Sequence, residues 1–239
     1  MRSSDMKKPA GHAPHHEEEA KEEGERPATF APFISAGAIS VEDLKKLVLT
    51  MESEGAKNVK LTGEIIFVWD HKKHLHGLEE RTGRRANSFK EGGVRPVKMC
   101  SAETFCQRFV QPVLGLAMRI DKTFYRAPLP VKLAIGVAGC IRSCSEPATK
   151  DVGIIGHPKG YEILVGGSAG ARPVVAQKLA VVPTQDDVIV VVGRIVEYVR
   201  AHGKKGTRLH GLIEKAGFEG FKREILHGVA TVTLPVHSG

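Results

Sequence analysis

The sequence predicts an α+β protein: a ferredoxin-like half domain followed by a second α+β domain organised around four cysteines. Three observations predict it. A capped amphipathic helix over 41–51 runs into an extended, β-branched stretch, NVKLTGEIIFVW. The alternating strand VKLAIGVA leads straight into a cysteine. A long capped helix begins near residue 185, after two short strands around a turn.

Residues 1–28 form a tail without apolar periodicity, centred on HAPHHEEEAKEEGER, and are expected to be disordered. His12, His15 and His16 there read as solvated side chains. The half domain spans 29–95. Ser40 is a good N-cap, with Glu42 and Asp43 in the first turn. Val41, Leu44, Leu47, Val48 and Met51 fall on one face, and Gly55 stops the helix. The basic run HKKHLH reads as an exposed loop or helix start, or as a cationic lip over a site.

The second domain spans 96–228. FVQPVLGLAMRI has Phe109, Val113, Ala117 and Ile120 at helical spacing, with Pro112 as a kink or a start. In VKLAIGVA, Val131, Leu133, Ile135 and Val137 face one way. The other face is Lys132, Ala134, Gly136 and Ala138, small enough to leave room for a flat ligand. DVGIIG and YEILVGG read as strands around HPKG. GGSAGARP follows, and its glycines could let backbone N–H groups approach an anion beside Arg172, opening onto a helix through Ala176–Leu179. Gly166, Gly167 and Gly170 give GGxxG, which is not a dinucleotide fingerprint. Thr184 caps the clearest helix, whose stripe is Val188, Val191, Val192, Ile195, Val196 and Val199, closed by Gly203. Thr207 caps a further helix with Leu209, Leu212, Ile213 and Ala216 inward, ended by Gly217. Residues 229–239 are a final strand or a loose tail.

The 239 residues are 41% hydrophobic and 26% charged, enough for a real core. No apolar run approaches the ~18 residues of a membrane span, and the hydrophilic start carries no secretory pattern. Residues 1–28 hold five Lys/Arg and seven Asp/Glu, leaving 30 basic and 20 acidic side chains in the body. That surplus suits anionic ligands. With Trp69 and three tyrosines besides phenylalanine, platforms for stacking bases are sparse, which argues against nucleic acid.

All four cysteines, Cys100, Cys106, Cys140 and Cys144, lie in two pairs, C-x5-C and C-x3-C, separated by 33 residues. Four thiols placed this way point to one four-thiolate metal site in a reducing cytoplasm. The second gap suits structural zinc and the first does not. A cluster is wider than a single ion and tolerates ligands further apart.

The C-x5-C…C-x3-C set resembles the siroheme-dependent nitrite and sulfite reductases. So do LPVKLAIGVAGC, KDVGIIGHPKGYEILVGGSAGARP and VRPVKMC, which sets Arg95 five residues before Cys100. Together these cover about 37–222 and are closest in kind to the small single-half assimilatory-type members. The resemblance implies a siroheme and 4Fe-4S-binding domain in which Cys100, Cys106, Cys140 and Cys144 hold the cluster. Cys144 would also bridge to the siroheme iron. Arg95 and Lys132 would stabilise sulfite or nitrite, although Lys132 could equally bind a tetrapyrrole carboxylate. Arg142, Gly167 and Arg172 would contact cofactor. The donor implied is a ferredoxin-like protein. Three segments depart from the family pattern: Ala134 stands where a second lysine is common, CIRSC replaces C-P-N-x-C with Arg142 for asparagine, and Glu64, Ile65 and Ile66 follow LTG. A single cluster-binding half completes its cradle alone or by pairing with another subunit. A non-catalytic electron-transfer or cofactor-binding protein, and a zinc-stapled basic module that binds nucleic acid, are the rival readings.

Overall fold

A computed structural model describes residues 28–56, 58–62, 65–70, 75–86 and 92–233. The tail histidines, Glu64 and His71–His74 of the basic run lie outside the described residues.

The first unit is a three-stranded antiparallel sheet, order β1-β3-β2, made of β1 (Ala28–Phe30), β2 (Asn58–Thr62) and β3 (Ile65–Asp70). The single extended stretch expected at 58–69 is thus a hairpin, with Thr62 opposite Ile65. Helix α1 (Val41–Ser53) is capped by Ser40, whose Oγ accepts from the Asp43 N–H at 3.0 Å. Its inner face buries Leu47 and Met51 against Phe30, Val68 and Leu78 of the short helix α2 (Leu78–Thr82). The rest of the expected stripe is uncovered: Val41 is 84% exposed, and Leu44 and Val48 are exposed too.

The second unit is built on a five-stranded sheet, order β10-β9-β8-β7-β5. Its members are β5 (Lys98–Met99), β7 (Ile135–Ala138), β8 (Val152–His157), β9 (Gly160–Val165) and β10 (Gln177–Val182). Strands β5, β7 and β8 run parallel, and β8-β9-β10 is an antiparallel meander. Beside it, β4 (Gly93–Val94) and β6 (Lys132–Leu133) form a parallel pair. Helix α3 (Ala102–Phe105) is one turn, and α4 (Leu114–Phe124) buries Leu116, Ala117 and Ile120. Pro112 therefore marks the approach to α4, and Phe109 lies outside the helix, 40% exposed.

Helix α5 (Gln185–His202) has a full capping box, in which Thr184 and Asp187 satisfy each other's backbone N–H groups. All six valines and isoleucines of its expected stripe are buried. Helix α6 (Leu209–Ala216) buries Leu209, Leu212 and Ile213, but Ala216 is exposed, and its N-cap is Arg208 rather than Thr207. The sequence reading missed α7 (Phe218–Leu226), which begins immediately after Gly217 and buries Phe221 and Ile225. Beyond it, the Val232 N–H donates to the Val181 carbonyl at 2.8 Å, which ties the chain to β10.

One buried carboxylate joins the two units. Asp121 on α4 accepts from Ser35 Oγ at 3.0 Å, the Ala36 N–H at 2.8 Å and the Val97 N–H at 2.9 Å. Burial pushes its carboxyl up from the ordinary range, and the Val97, Ala36 and Ser35 bonds oppose that shift. Phe33 and Tyr125 stack alongside, ring centroids 3.9 Å apart. Because donors address both oxygens, an amide cannot serve them all. Asp121→Asn should lower stability by about 1–3 kcal/mol, measured by denaturant unfolding; an asparagine variant as stable as the parent would overturn this account of the joint.

Candidate metal centre

Parallel pairing of β5 with β7 delivers two cysteines to one place. Lys98 lies opposite Gly136 and Met99 opposite Val137, and the Cys100 N–H donates to the Val137 carbonyl at 3.1 Å. Strand β7 ends at Ala138, so Gly139 and Cys140 emerge beside Cys100. The Cys140–Cys144 loop is folded by two consecutive tight turns: Ser143 N–H to the Cys140 carbonyl at 3.1 Å, and Glu146 N–H to the Ser143 carbonyl at 2.7 Å. Buried Ser145 secures it by donating to the Val137 carbonyl at 2.7 Å.

All four cysteines line one cavity of about 50 Å³, with Phe109, Ala138, Gly139, Arg142 and Ser143 among its walls. Cys144 is exposed; the other three are half-buried, and none is in a disulfide. Backbone N–H groups approach two of the sulfurs. Those of Gly139 and Ala102 reach Cys100 Sγ at 3.3 and 3.4 Å, and that of Arg108 reaches Cys106 Sγ at 3.4 Å. Such donors stabilise thiolate and are a means by which proteins tune iron–sulfur clusters. Among the described residues no three His, Cys, Asp or Glu side chains are grouped to hold a single metal ion. The donor set suits a cluster: four sulfurs around an apolar cavity, with N–H groups aimed at sulfur.

Backbone strain gathers here. Of the five non-glycine residues with positive φ among the described residues, Ala102 (53°), Ser143 (54°) and Glu146 (55°) flank the cysteines. That conformation disfavours side chains and persists only where the surroundings impose it. Glu103, between the first two cysteines, is one such constraint. Its carboxylate accepts from the N–H groups of Val113 at 2.8 Å and Leu114 at 3.2 Å, at the positive end of α4. The sequence reading passed over this residue, although an acid inside CSAETFC was a signal.

Arg95 and Lys132 do not line the cysteine cavity. Arg95 directly follows β4 and Lys132 opens β6: Lys132 pairs with Gly93, and the Arg95 N–H donates to the Leu133 carbonyl at 2.9 Å. Lys132 is exposed at the surface. Its ammonium is held below the ordinary lysine range, first by partial desolvation, then by Arg208 and Arg95, with Lys150 adding and Asp151 opposing. Lys150 and Lys98 both reach Glu146, at 3.4 and 3.3 Å. The sequence reading did not single out Lys98, Lys150, Asp151 or Arg208.

Two expectations change. The small face of β7 is not open at Gly136, where a Cβ would lie 2.8 Å from Lys150 Cγ and 3.2 Å from Pro147 Cα. The 3-10 turn Pro147–Thr149 covers it, so that glycine admits the chain itself. GGSAGARP leads into β10, not a helix. A Cβ on Gly167 would lie 2.5 Å from the Ala148 and Lys150 carbonyl oxygens, so close backbone packing requires this glycine. Arg172 and Arg142 are exposed, and of these two only Arg142 lines the cysteine cavity.

Residues 90–231, more than half of the chain, match the family described as nitrite and sulphite reductase 4Fe-4S domain. Fold and cysteine site agree with that match, and the chain belongs to this family. It is 27% identical over 219 residues to a nitrite reductase [NAD(P)H] of Bacillus subtilis, covering 87% of this chain and 27% of the relative. It is 29% identical over 133 residues to an assimilatory-type sulfite reductase of Nitratidesulfovibrio vulgaris, covering 56% and 61%. The chain therefore spans about a quarter and about three-fifths of these two relatives. Among solved structures, the Mycobacterium tuberculosis NirA protein superposes with a TM-score of 0.72 at 18% identity, over 87% of this chain and 42% of that one. Dissimilatory sulfite reductase I gives 0.66 at 14%, over 88% and 72%. These confirm the α+β fold. No described helix is long and apolar enough to cross a membrane.

Gly156 tests the packing beneath the site. A Cβ there would lie 2.4 Å from the Gly139 carbonyl oxygen, directly behind the N–H that serves Cys100. Gly156→Ala should destabilise by roughly 1–3 kcal/mol and reduce iron content on purification. Gly115→Ala, on α4 with nothing within 4 Å of the added carbon, should do neither. Equal iron in both variants would refute the coupling.

Proposed function

We propose that the chain is a small assimilatory-type reductase that converts sulfite, or nitrite, by multi-electron reduction at a siroheme coupled to a 4Fe-4S cluster. The observation that carries this reading is the gathering of all four cysteines on one cavity with N–H donors at their sulfurs. Cys100, Cys106, Cys140 and Cys144 would hold the cluster, with Cys144 the exposed one of the four. When bound, the two cofactors supply single electrons to the oxyanion.

The protein's own part is binding and charge. Arg95, directly after β4, and Lys132, on β6, would bind the oxyanion and stabilise its negative charge. Arg142, at the cavity wall, and the segment of Gly167 and Arg172 contact the cofactor, with cations pairing to siroheme carboxylates. A ferredoxin-like donor delivers electrons in the cytoplasm, and the cradle is completed by this chain alone or by pairing with another subunit.

Serine at any of the four cysteines should remove iron and acid-labile sulfide, because hard oxygen replaces thiolate poorly. Full cluster content in two or more variants would overturn the ligand assignment. Arg95→Ala and Lys132→Ala should each slow reduction roughly a hundredfold, about 3 kcal/mol, while keeping the absorbance of both cofactors. Lys132→Arg should be milder. If wild-type protein holds siroheme but reduces neither anion with a strong artificial donor, the reductase reading falls. If both alanine variants lose siroheme, the cations serve its carboxylates instead.

A further inference from the structure

Lys132 sits two residues before a discontinuity. The strand pairs with β4 through Leu133 and joins the five-stranded sheet from Ile135. Ala134, between them, is gripped on both sides by one short segment. Its N–H donates to Asp151 Oδ2 at 2.7 Å, and its carbonyl accepts from the Val152 N–H at 3.1 Å. Asp151 is fully buried. Its carboxylate is closed by a bidentate pair with Arg208, Nε to Oδ1 at 3.0 Å and Nη2 to Oδ2 at 2.7 Å, and its carbonyl accepts from the Gly166 N–H at 2.8 Å. One residue thus binds the Lys132 strand, the glycine loop and the start of α6.

This arrangement exceeds what strand pairing needs. A backbone N–H at a strand junction can be satisfied by water or a neutral side chain. A fully buried carboxylate is costly unless paired, and its partner Arg208 is drawn from the N-cap of α6. The pair also brings one charge of each sign beside Lys132, in a group completed by Arg95 and Lys150.

We propose that Asp151 and Arg208 are positioning residues for Lys132: the buried pair holds the Lys132 strand through Ala134 and keeps one charge of each sign beside that lysine. The inference rests on the reading of Lys132 as the oxyanion cation for its purpose, but not for its test. Asp151 favours the charged amine and Arg208 disfavours it, with Arg95 and Lys150 acting in the same direction as Arg208. Removing Arg208 should raise the pH at which Lys132 loses its proton, and neutralising Asp151 should lower it. A pair that only tied backbone segments together, with its charges screened from Lys132, would give no such opposed shifts.

The test is competitive labelling of lysine amines with acetic anhydride, quantified at Lys132 by peptide mass spectrometry on the full chain with its cofactors. Only the neutral amine reacts. Below the midpoint, Arg208→Gln should slow labelling about threefold and Asp151→Asn should speed it by about as much, with Arg208→Lys close to the parent. Changes of the same sign in Arg208→Gln and Asp151→Asn, or no change, would overturn the proposal. If Asp151→Asn does not fold, the contrast between Arg208→Gln and Arg208→Lys decides alone: equal labelling refutes the electrostatic role. In variants that turn over, the alkaline limb of the rate profile should move with the labelling midpoint. Labelling needs no turnover, so a chain that reduces neither anion would sink the reductase reading and leave this result standing.

Discussion

The parallel pairing of β5 with β7 is the constraint on which the rest depends. Both strands are short, and both run out at a cysteine. Parallel neighbours need a long crossover, and here it runs from Cys100 through α3 and α4 before returning along β6. That crossover contains Cys106 and supplies Glu103, whose carboxylate binds the N-terminus of α4. Two thiols that begin 40 positions apart therefore meet because two strands share a register, and a third is carried along by the connection. The fourth follows from the tight turns after Cys140. Local strain at Ala102, Ser143 and Glu146 is tolerated because each end of every loop is already fixed by the sheet.

Close backbone approach is the second theme. Gly136, Gly153, Gly156 and Gly167 sit where a methyl group would meet another segment of main chain or the stem of Lys150. The turn at 147–149 lies across β7 and β8 because two of these glycines let it, and that turn carries the chain from the fourth cysteine to Lys150 and Asp151. Glycines that read as room for a ligand are, at Gly136 and Gly167, room for the protein.

Much of the fold was legible. Capping residues and apolar stripes identified α1 and α5 because their cues are local: Ser40 and Thr184 at the start, and a repeat of 3.6 behind them. Periodicity says which residues share a face, not what covers it, so the α1 stripe was read correctly as a face although only Leu47 and Met51 are buried. Helix α7 was missed because Gly217 looked like an ending, and in fact its φ of 78° lets one helix start where another stops. Gly-rich sequence ahead of β10 suggested a helix terminus, a confusion that arises because glycine serves turns and caps alike.

The site was legible where chemistry is carried by rare residues and illegible where it is carried by pairing. Four cysteines in 239 residues announce themselves. Asp151 and Arg208 do not, because 57 positions separate them and each type is common on surfaces. What marked Asp151 was its place directly before a run of apolar and small residues, where an acid should be expensive to bury and so must have a partner. The same logic applies to Asp121, buried among three donors contributed by two distant segments. In both cases one carboxylate joins parts of the chain that hydrophobic packing brings near but does not align, because apolar contact is non-directional and hydrogen bonds are not. Each therefore sits at a boundary: Asp121 between the two units, Asp151 between the strand of Lys132 and the sheet that carries the cysteines. Cations on one side of the Asp151 boundary are thereby held in fixed relation to thiols on the other.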